Sequence, residues 1–335
     1  MDAPDPAPGP GEVLIRVRAS GVCGSDVARY VWSRNYEAGA AKDMTEDLPR
    51  ILGHEFAGEV VGVGEGVDTF AAHDRVVVQN ILGCGRCPQC HRGMPNVCDN
   101  RRTIGVHRDG GYAELCAVPE VNCSLIGDDI SFHLAAALQP FAVATNAVHL
   151  AEIEPGARVI VWGLGPIGLA TAAAARERGA AIVLGLDVSP VRLAEAEAFG
   201  IPTLDVGKGD TATALLANIG ARSIDAAFEA AGAPESVAAT LPVLRKSGPM
   251  VLIGNMRERI DVDLMPLIMD QQRLIGARSY SLEMWDVAVR TIGPSGFETT
   301  LGEEVSIDDA IERFEKAAAG KGSSFTIMPN GPEPR

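Results

Sequence analysis

The chain has 335 residues and a mass of 35.1 kDa, enough for two domains at roughly one to two hundred residues each. Hydrophobic residues make up 47% and charged residues 22%, the usual balance of a globular enzyme. The 44 acidic residues outnumber 29 basic ones, and the formal charge of −15 repels phosphate backbones and anionic lipid, so neither nucleic acid nor a membrane surface is an expected partner. No apolar run reaches the roughly 18 residues of a membrane span. Met1–Pro10 is acidic and proline-rich, without a basic or an apolar stretch, so we expect no secretory signal and a cytoplasmic location. In that reducing compartment the seven cysteines call for a role other than disulfides.

In chain order, the first part reads as β-rich. Val13–Val17 and Arg75–Val78 are β-branched runs, and Gly58–Gly66 alternates glycine with valines, as in strongly bent strands. Residues 83–98 hold four cysteines and little that could form a core. From about residue 156 strands alternate with helices. The strand candidates are Arg158–Trp162, Ile182–Asp187, Ile224–Glu229, Met250–Gly254 and Arg273–Ala277, with Ile201–Val206 a weaker sixth. Pro166–Arg178 and Pro190–Phe199 read as helices, the second with Ser189 as its N-cap. This spacing describes a parallel sheet covered on both faces. Ile307–Ala319 is amphipathic and Phe325–Met328 is a short strand. The expected fold class is therefore α/β: a helix–sheet domain inserted in a β-rich domain whose tail returns at the C-terminus.

Val159–Gly168 reads VIVWGLGPIG. Gly163, Gly165 and Gly168 form G-x-G-x-x-G after a strand and at the mouth of a helix that opens with Pro166 and Ile167. The first glycine makes the turn, the second admits a pyrophosphate, and the third lets helix pack on strand. Asp187 ends the next strand, where an acid binds the adenosine ribose hydroxyls. The expected cofactor is NAD, since a 2′-phosphate would meet that carboxylate. Arg192 is the nearest base, either a solvated helix residue or a lining of the adenine side.

Cys84, Cys87, Cys90 and Cys98 stand at C-x2-C-x2-C-x7-C. Four thiolates at this spacing can wrap a structural zinc; a redox pair or an iron–sulfur site are the alternatives. His91 reads as a solvated loop residue, Cys116 and Cys123 as small core residues. Such a closed site leaves no open coordination position, so chemistry belongs elsewhere. Cys23 in GVCGSD, followed later by His54 and Glu55 in GHE, supplies one thiol, one imidazole and one acid. That set leaves a fourth place for water or substrate, as a catalytic zinc requires.

GVCGSD, GHEFAGEVVGVGEGV, the four-cysteine lobe, DGGYAEL, GLGPIG and Asp187 occur in this order, and together they closely resemble the zinc-containing medium-chain alcohol dehydrogenases. GHEFAGEVV, TIGVHRDGGYAEL and Phe141–His149 (FAVATNAVH) point to the polyol and L-threonine 3-dehydrogenase branch. The resemblance implies a GroES-like catalytic domain over 1–141 with the zinc lobe at 83–98, a Rossmann domain over 142–281, and a return to the catalytic domain over 282–335. It implies two zinc ions per chain, NAD, a small-molecule alcohol or ketone as substrate, and a homodimer or homotetramer. Cys23, His54 and Glu55 match the catalytic zinc positions, Ser25 the hydroxyl that accepts the alcohol's proton, and Asp26 a group that orients the ligands. The bland readings are a helix N-cap for Ser25 and helix-start charge for Asp26.

The chain departs from the pattern in ways that bear on chemistry. Ala28 stands where many relatives carry a proton-relaying histidine, leaving His107 as the nearest alternative by motif. Gln139 replaces an acid that sits at or beside the metal. Ile81 replaces a histidine that helps threonine dehydrogenases select substrate, which counts against threonine itself. Arg101, Arg102, His107, Arg278 and Tyr280 lie in stretches that border the cleft in relatives, Arg278 and Tyr280 near the nicotinamide. Trp32 and Tyr36 are placed in a loop after Cys23. His73, His133 and His149 read as structural. The resulting expectation is oxidation of a secondary alcohol by NAD. The alternatives are a zinc-dependent relative that reduces another carbonyl or a double bond, and a catalytically idle, zinc-stabilised nucleotide-binding protein.

Overall fold

The structure, a computed structural model, describes residues 3–37, 49–207, 211, 213, 215, 217, 220–256, 258–319 and 324–332, with the backbone alone at 33–37. The chain divides into two compact units, Met1–Gln139 with Leu301–Arg335, and Pro140–Thr300. Among the described residues no helix is long and apolar enough to cross a membrane.

The first unit is built on strand β1 (Glu12–Gly21), whose Val13, Ile15 and Val17 point inward with the period of two of a half-buried strand. Helix α1 (Gly24–Glu37) follows directly. Then come β2 (Glu55–Val63), β3 (Arg75–Val78) and the small pair β4 (Ile81–Leu82) and β5 (Arg102–Thr103), with the short helix α2 (Pro88–His91) between these last two. β6 (Leu115–Pro119) and β7 (Cys123–Leu125) close this half, followed by α3 (Phe132–Ala136). Register shifts bend β1 along β2, so it pairs β6 at its start and the C-terminal strand at its end. Gly58 permits the close approach of β2, because a Cβ there would run into the carbonyl of Arg16. Val60, Phe56, Val76, Val78, Ile104 and Val118 fill the core beneath.

Helix α4 (Leu138–Ala151) carries the chain into the second unit. There β8 (Arg158–Trp162), α5 (Pro166–Glu177), β9 (Ile182–Asp187), α6 (Pro190–Ala198), β10 (Thr203–Asp205), β11 (Ala226–Glu229), α7 (Pro234–Thr240), β12 (Pro249–Leu252), α8 (Met265–Met269), β13 (Arg273–Gly276) and α9 (Leu282–Thr291) alternate as expected. The six strands are all parallel, in the order β10-β9-β8-β11-β12-β13. This is the doubly wound Rossmann arrangement, with its switch point at the carboxyl ends of β8 and β11. The unit extends to Thr300, not to the 281 expected from the sequence. Aromatic contacts hold it there: Tyr280 lies on Trp285 of α9 with ring centroids 5.2 Å apart, and Phe297 lies on Phe141 at 5.7 Å.

The chain then returns to the first unit as β14 (Glu303–Ser306), α10 (Ala310–Ala318) and β15 (Phe325–Met328). β14 was not among the expected strands; it pairs parallel with β15, which pairs antiparallel with β1. Phe314 of α10 packs among Tyr30, Tyr112 and Phe325 at centroid distances of 5.4, 5.8 and 5.6 Å. Burying such a ring contributes about 2 kcal/mol. The tail thus fastens α1, and with it the start of that helix, to the sheet.

Two local expectations are corrected. Trp32 and Tyr36 belong to α1 and not to a loop, because the helix continues through Glu37; the Tyr36 side chain lies outside the described residues. Ser189 occupies the N-cap position of α6, but its side chain makes no capping bond. The carboxylate of Asp187 binds the N–H groups of Val188 and Ser189 instead, at 2.7 and 2.9 Å.

Candidate active site and metal centres

Strand pairing assembles the first cluster. Gly21, at the end of β1, is in register with Glu55, at the start of β2, so Cys23 and the His54–Glu55 pair meet across the sheet end. A side chain at Gly21 would press on Glu55 Oε2. Ligand atoms of Cys23, His54 and Glu55 all lie within 4.8 Å of one another, His54 and Glu55 being buried. Gly53, at φ +96°, makes the turn that leads into His54, and a Cβ there would strike the backbone of Tyr112.

Asp26, fully buried on the first turn of α1, stands behind this trio. Its Oδ1 is 3.3 Å from His54 Nδ1, and its Oδ2 accepts from the Tyr112 hydroxyl at 2.8 Å and from the Cys23 N–H at 3.3 Å. The last bond closes the start of α1 as the acid of a capping box does, so Asp26 serves helix and histidine at once. With Nδ1 toward Asp26, His54 Nε2 faces Glu55 Oε1 at 3.7 Å. Burial alone would depress the His54 imidazole, but contact with Asp26 and Cys23 and the charges of Asp26 and Glu55 hold it well above its ordinary range. Burial pushes the Glu55 carboxyl up to about 7 and carries the Tyr112 phenol well above its usual value. Two buried acids and a thiol converging on one imidazole make a donor set that a divalent cation would neutralise. One thiol, one imidazole and one carboxylate are donor types that zinc takes, and three of them leave a fourth position open. Tyr112 is the participant that sequence reasoning did not assign: DGGYAEL was visible as a motif, but the hydroxyl's partner is 86 residues away.

The second cluster is local. Cys84, Cys87, Cys90 and Cys98 bring four sulfurs within 4.8 Å, and all are free thiols. The Cys84 N–H approaches Cys98 Sγ at 3.4 Å, and the Cys90 N–H approaches Cys87 Sγ at 3.5 Å. That Cys90 N–H draws the Cys87 thiol down to about 6, and the Arg86 N–H lowers Cys84, whereas desolvation lifts Cys90 to about 11. Four sulfurs in one shell, partly preset as thiolates, fit a tetrahedral cation with no open position. His91 is exposed at the end of α2, on a helix and not in a loop. Cys116 and Cys123 lie on β6 and β7, and burial pushes both thiols up to about 12, which suits inert core residues.

In the second unit Gly163, at φ +81°, turns the chain out of β8, and its N–H donates to the Leu186 carbonyl at 2.7 Å. A Cβ at Gly168 would collide with the Gly163 carbonyl, whereas one at Gly165 would meet no more than the Arg192 guanidinium at 3.9 Å. The middle glycine therefore faces the open cradle that a pyrophosphate needs, at the N-terminus of α5, with Pro166 and Ile167 opening the helix. Asp187 Oδ2 accepts from Leu164 N–H at 2.7 Å and stands 3.7 Å from Arg192 Nη1. With Val188 and Ser189 on Oδ1, the carboxylate has about one of its four lone-pair sites left.

The remaining candidates are more dispersed. Gln139 is buried on the first turn of α4. Ser25 and Ala28 are exposed on α1. His107 Nδ1 accepts the Thr103 N–H at 3.0 Å, and its carbonyl accepts from Arg102 at 2.9 Å. Ile81 is buried in β4. Tyr280 is fully buried against Trp285, as a core residue is, while Arg278 is exposed. His133 Nδ1 lies 3.1 Å from Glu304; His73, at φ +77°, and His149 are exposed.

A trio of a half-buried thiol with a buried imidazole and carboxylate, a four-cysteine lobe and a Rossmann unit together define a zinc-binding dehydrogenase. The sequence matches the alcohol dehydrogenase GroES-like domain over residues 9–128 and the zinc-binding dehydrogenase domain over residues 166–293. The chain belongs to the zinc-containing medium-chain alcohol dehydrogenase family. It is 32% identical over 333 residues to L-threonine 3-dehydrogenase of Rhizobium etli (strain CIAT 652), covering 97% of this chain and 93% of that one. It is 36% identical over 250 residues to L-galactonate-5-dehydrogenase of Escherichia coli (strain K12), covering 74% and 70%. The structure superposes with a TM-score of 0.87 on a zinc-binding dehydrogenase from Sinorhizobium meliloti 1021 bound to NADP, at 28% identity over 98% of this chain and 95% of that one. Within the family, these likenesses place the chain in the polyol and threonine dehydrogenase-like branch.

Proposed function

We propose that the protein oxidises a secondary hydroxyl of a polyol or amino-alcohol with NAD, using one zinc at Cys23, His54 and Glu55 and a second, structural zinc at Cys84, Cys87, Cys90 and Cys98. The observation that carries this reading is the trio of half-buried Cys23 with buried His54 and Glu55, and Asp26 behind it. A zinc ion there would act as a Lewis acid on the alcohol oxygen. Asp26, with Oδ1 3.3 Å from His54 Nδ1, would orient the ring so that Nε2 faces the ligand position. Ser25, exposed two residues from Cys23, takes the hydroxyl proton, and with Ala28 unable to relay it, water or His107 receives it next. Two relatives named for dehydrogenation of L-threonine at position 3 and L-galactonate at position 5 support a secondary hydroxyl. Zinc content measured alongside NAD-linked turnover of a panel of secondary alcohols tests the reading. A zinc-loaded protein that turns over carbonyls or double bonds but none of the alcohols, or nothing at all, would overturn it.

The preference for NAD rests on the Asp187 carboxylate, which would repel a 2′-phosphate. Asp187→Ala is expected to shrink the ratio of kcat/KM for NAD over NADP by about tenfold or more, the worth of a charged hydrogen bond. A wild-type protein that prefers NADP sinks the assignment.

We further propose that Gln139 sits beside the catalytic ion. Zinc with the Cys23 thiolate and Glu55 carboxylate is neutral, and Gln139→Glu would add a negative charge. The apparent pKa of the alcohol-oxidation profile should then rise and zinc should bind more tightly. An unchanged profile, with chemistry rate-limiting, would remove Gln139 from the site. The proposed state is a cytoplasmic homodimer or homotetramer with a small-molecule alcohol or ketone as partner. A sedimentation mass of one chain would exclude the oligomer.

A further inference from the structure

Glu229 ends β11 beside the switch point of the Rossmann sheet, in register with Trp162 of β8, and it is fully buried. Its two polar groups serve two different turns. The main-chain carbonyl accepts the N–H groups of Ile253 and Gly254, at 2.8 and 2.9 Å, in the turn after β12. The carboxylate Oε1 accepts the N–H groups of Ala231 and Ala233, at 3.0 and 3.1 Å, in the turn after β11. The second turn reads Ala230-Ala231-Gly232-Ala233 and has no polar side chain with which to anchor itself.

These turns interlock at backbone distance. A Cβ on Gly163 would stand 2.8 Å from Ala231 N and Cα, so the pyrophosphate turn rests on Ala231. A Cβ on Gly232 would stand 2.9 Å from the Asn255 carbonyl, and one on Gly254 would strike the Gly232 nitrogen. The turns after β8, β11 and β12 therefore form one surface at the carboxyl edge of the sheet. A buried carboxylate is a costly way to fill a core, and Glu229 Oε2 has no hydrogen-bond partner among the described residues.

We propose that Glu229 is a positioning residue for the dinucleotide: its carboxylate sets the Ala230–Ala233 turn against Gly163 and Gly254 and so shapes the floor beneath the second, nicotinamide-bearing half of the cofactor. The assignment rests on dinucleotide binding at the glycine turn. In a doubly wound sheet the first βαβαβ half takes the adenosine moiety and the second, starting at β11, takes the other nucleotide. Glu229 acts on the second half and on its junction with the first.

The test titrates the zinc-loaded protein with NADH by fluorescence, or with NADPH should the wild type prefer it, and with 5′-AMP as a probe of the adenosine half alone. Glu229→Ala is expected to weaken NADH binding by about tenfold or more, and 5′-AMP by no more than about twofold. Glu229→Asp keeps the charge but falls one methylene short of Ala231 and Ala233, and should behave like the alanine variant. Glu229→Gln keeps the length and an acceptor, and should recover most of the NADH affinity. NADH binding unchanged in the Ala and Asp variants overturns the proposal. So does an equal loss of NADH and 5′-AMP, or a lowered melting temperature with wild-type affinity, since each describes a merely structural residue. If the alanine variant does not fold, the Asp and Gln variants decide. A wild-type protein that binds neither dinucleotide would instead refute the reading on which the assignment rests.

Discussion

Replacing Cys90 by serine is expected to remove one of two zinc ions and to lower the melting temperature by on the order of 10 °C or more. Residues 83–98 contain a four-residue helix with no buried residue and a single three-residue 3-10 turn, whose buried members are Pro95 and Asn96. The lobe has almost no apolar core, so the proposed structural zinc would be what orders its four sulfurs. In such a segment the binding energy of the ion is folding energy. Serine offers no thiolate, and the other three sulfurs, two of them already drawn toward the thiolate form by backbone N–H groups, would be left facing one another. Elemental analysis with a thermal scan checks this. Loss of one zinc with an unchanged melting temperature would show that the lobe stands without its metal. Cys123→Ser, on β7 and outside the cluster, should keep both ions.

How far the sequence could be read depended on how local each feature is. The lobe and the glycine turn are set by residues within a few positions of one another, and their spacing alone indicated their geometry. Asp187 was legible as the end of the second Rossmann strand, but not as the acceptor of three backbone N–H groups that hold the turn of Leu164 and the start of α6. The trio was less legible. Cys23 and His54 are brought together by the register Gly21↔Glu55 between β1 and β2, and nothing in the local pattern states a register. The resemblance, not the spacing, identified that set.

What the sequence did not show is tertiary in origin. β14 reads EEVS, with two acids and one apolar residue, and forms because β15 offers it a parallel edge. The second unit extends to Thr300 because Trp285 and Phe297 find Tyr280 and Phe141, contacts that no periodicity announces. Tyr112 and Glu229 take their importance from partners outside their own motifs. Glu229 in particular looks like an ordinary strand-ending acid until the turns around it are seen.

Asp26→Asn should have the largest effect on the catalytic zinc of any substitution that leaves the ligands in place. Asparagine keeps the volume and one acceptor but loses the charge and turns one oxygen into a donor. In the native arrangement both oxygens face donors or a donor-capable ring: Tyr112 O–H and Cys23 N–H on Oδ2, and His54 Nδ1 on Oδ1. The new amide must therefore oppose a donor whichever way it turns. If it faces His54, the ring proton moves to Nε2, the atom nearest Glu55, and the lone pair needed by the ion is lost. If it faces Tyr112 and Cys23, the start of α1 loses its closing bond, and with it the placement of Cys23. Either route should weaken zinc at this site by about 10–100-fold and lower kcat/KM at least as much. A buried donor left unmatched adds about 1–3 kcal/mol of instability. Mild chelation should then leave about one zinc per chain, the ion of the four-cysteine lobe, which this substitution does not touch. NADH affinity should stay at the wild-type level, because Gly163–Gly168 and Asp187 belong to the other unit. Tyr112→Phe, which removes one donor but keeps the carboxylate charge, should weaken zinc by less. An Asp26→Asn protein that retained both ions through chelation at wild-type turnover would show that His54 is held by something other than this carboxylate.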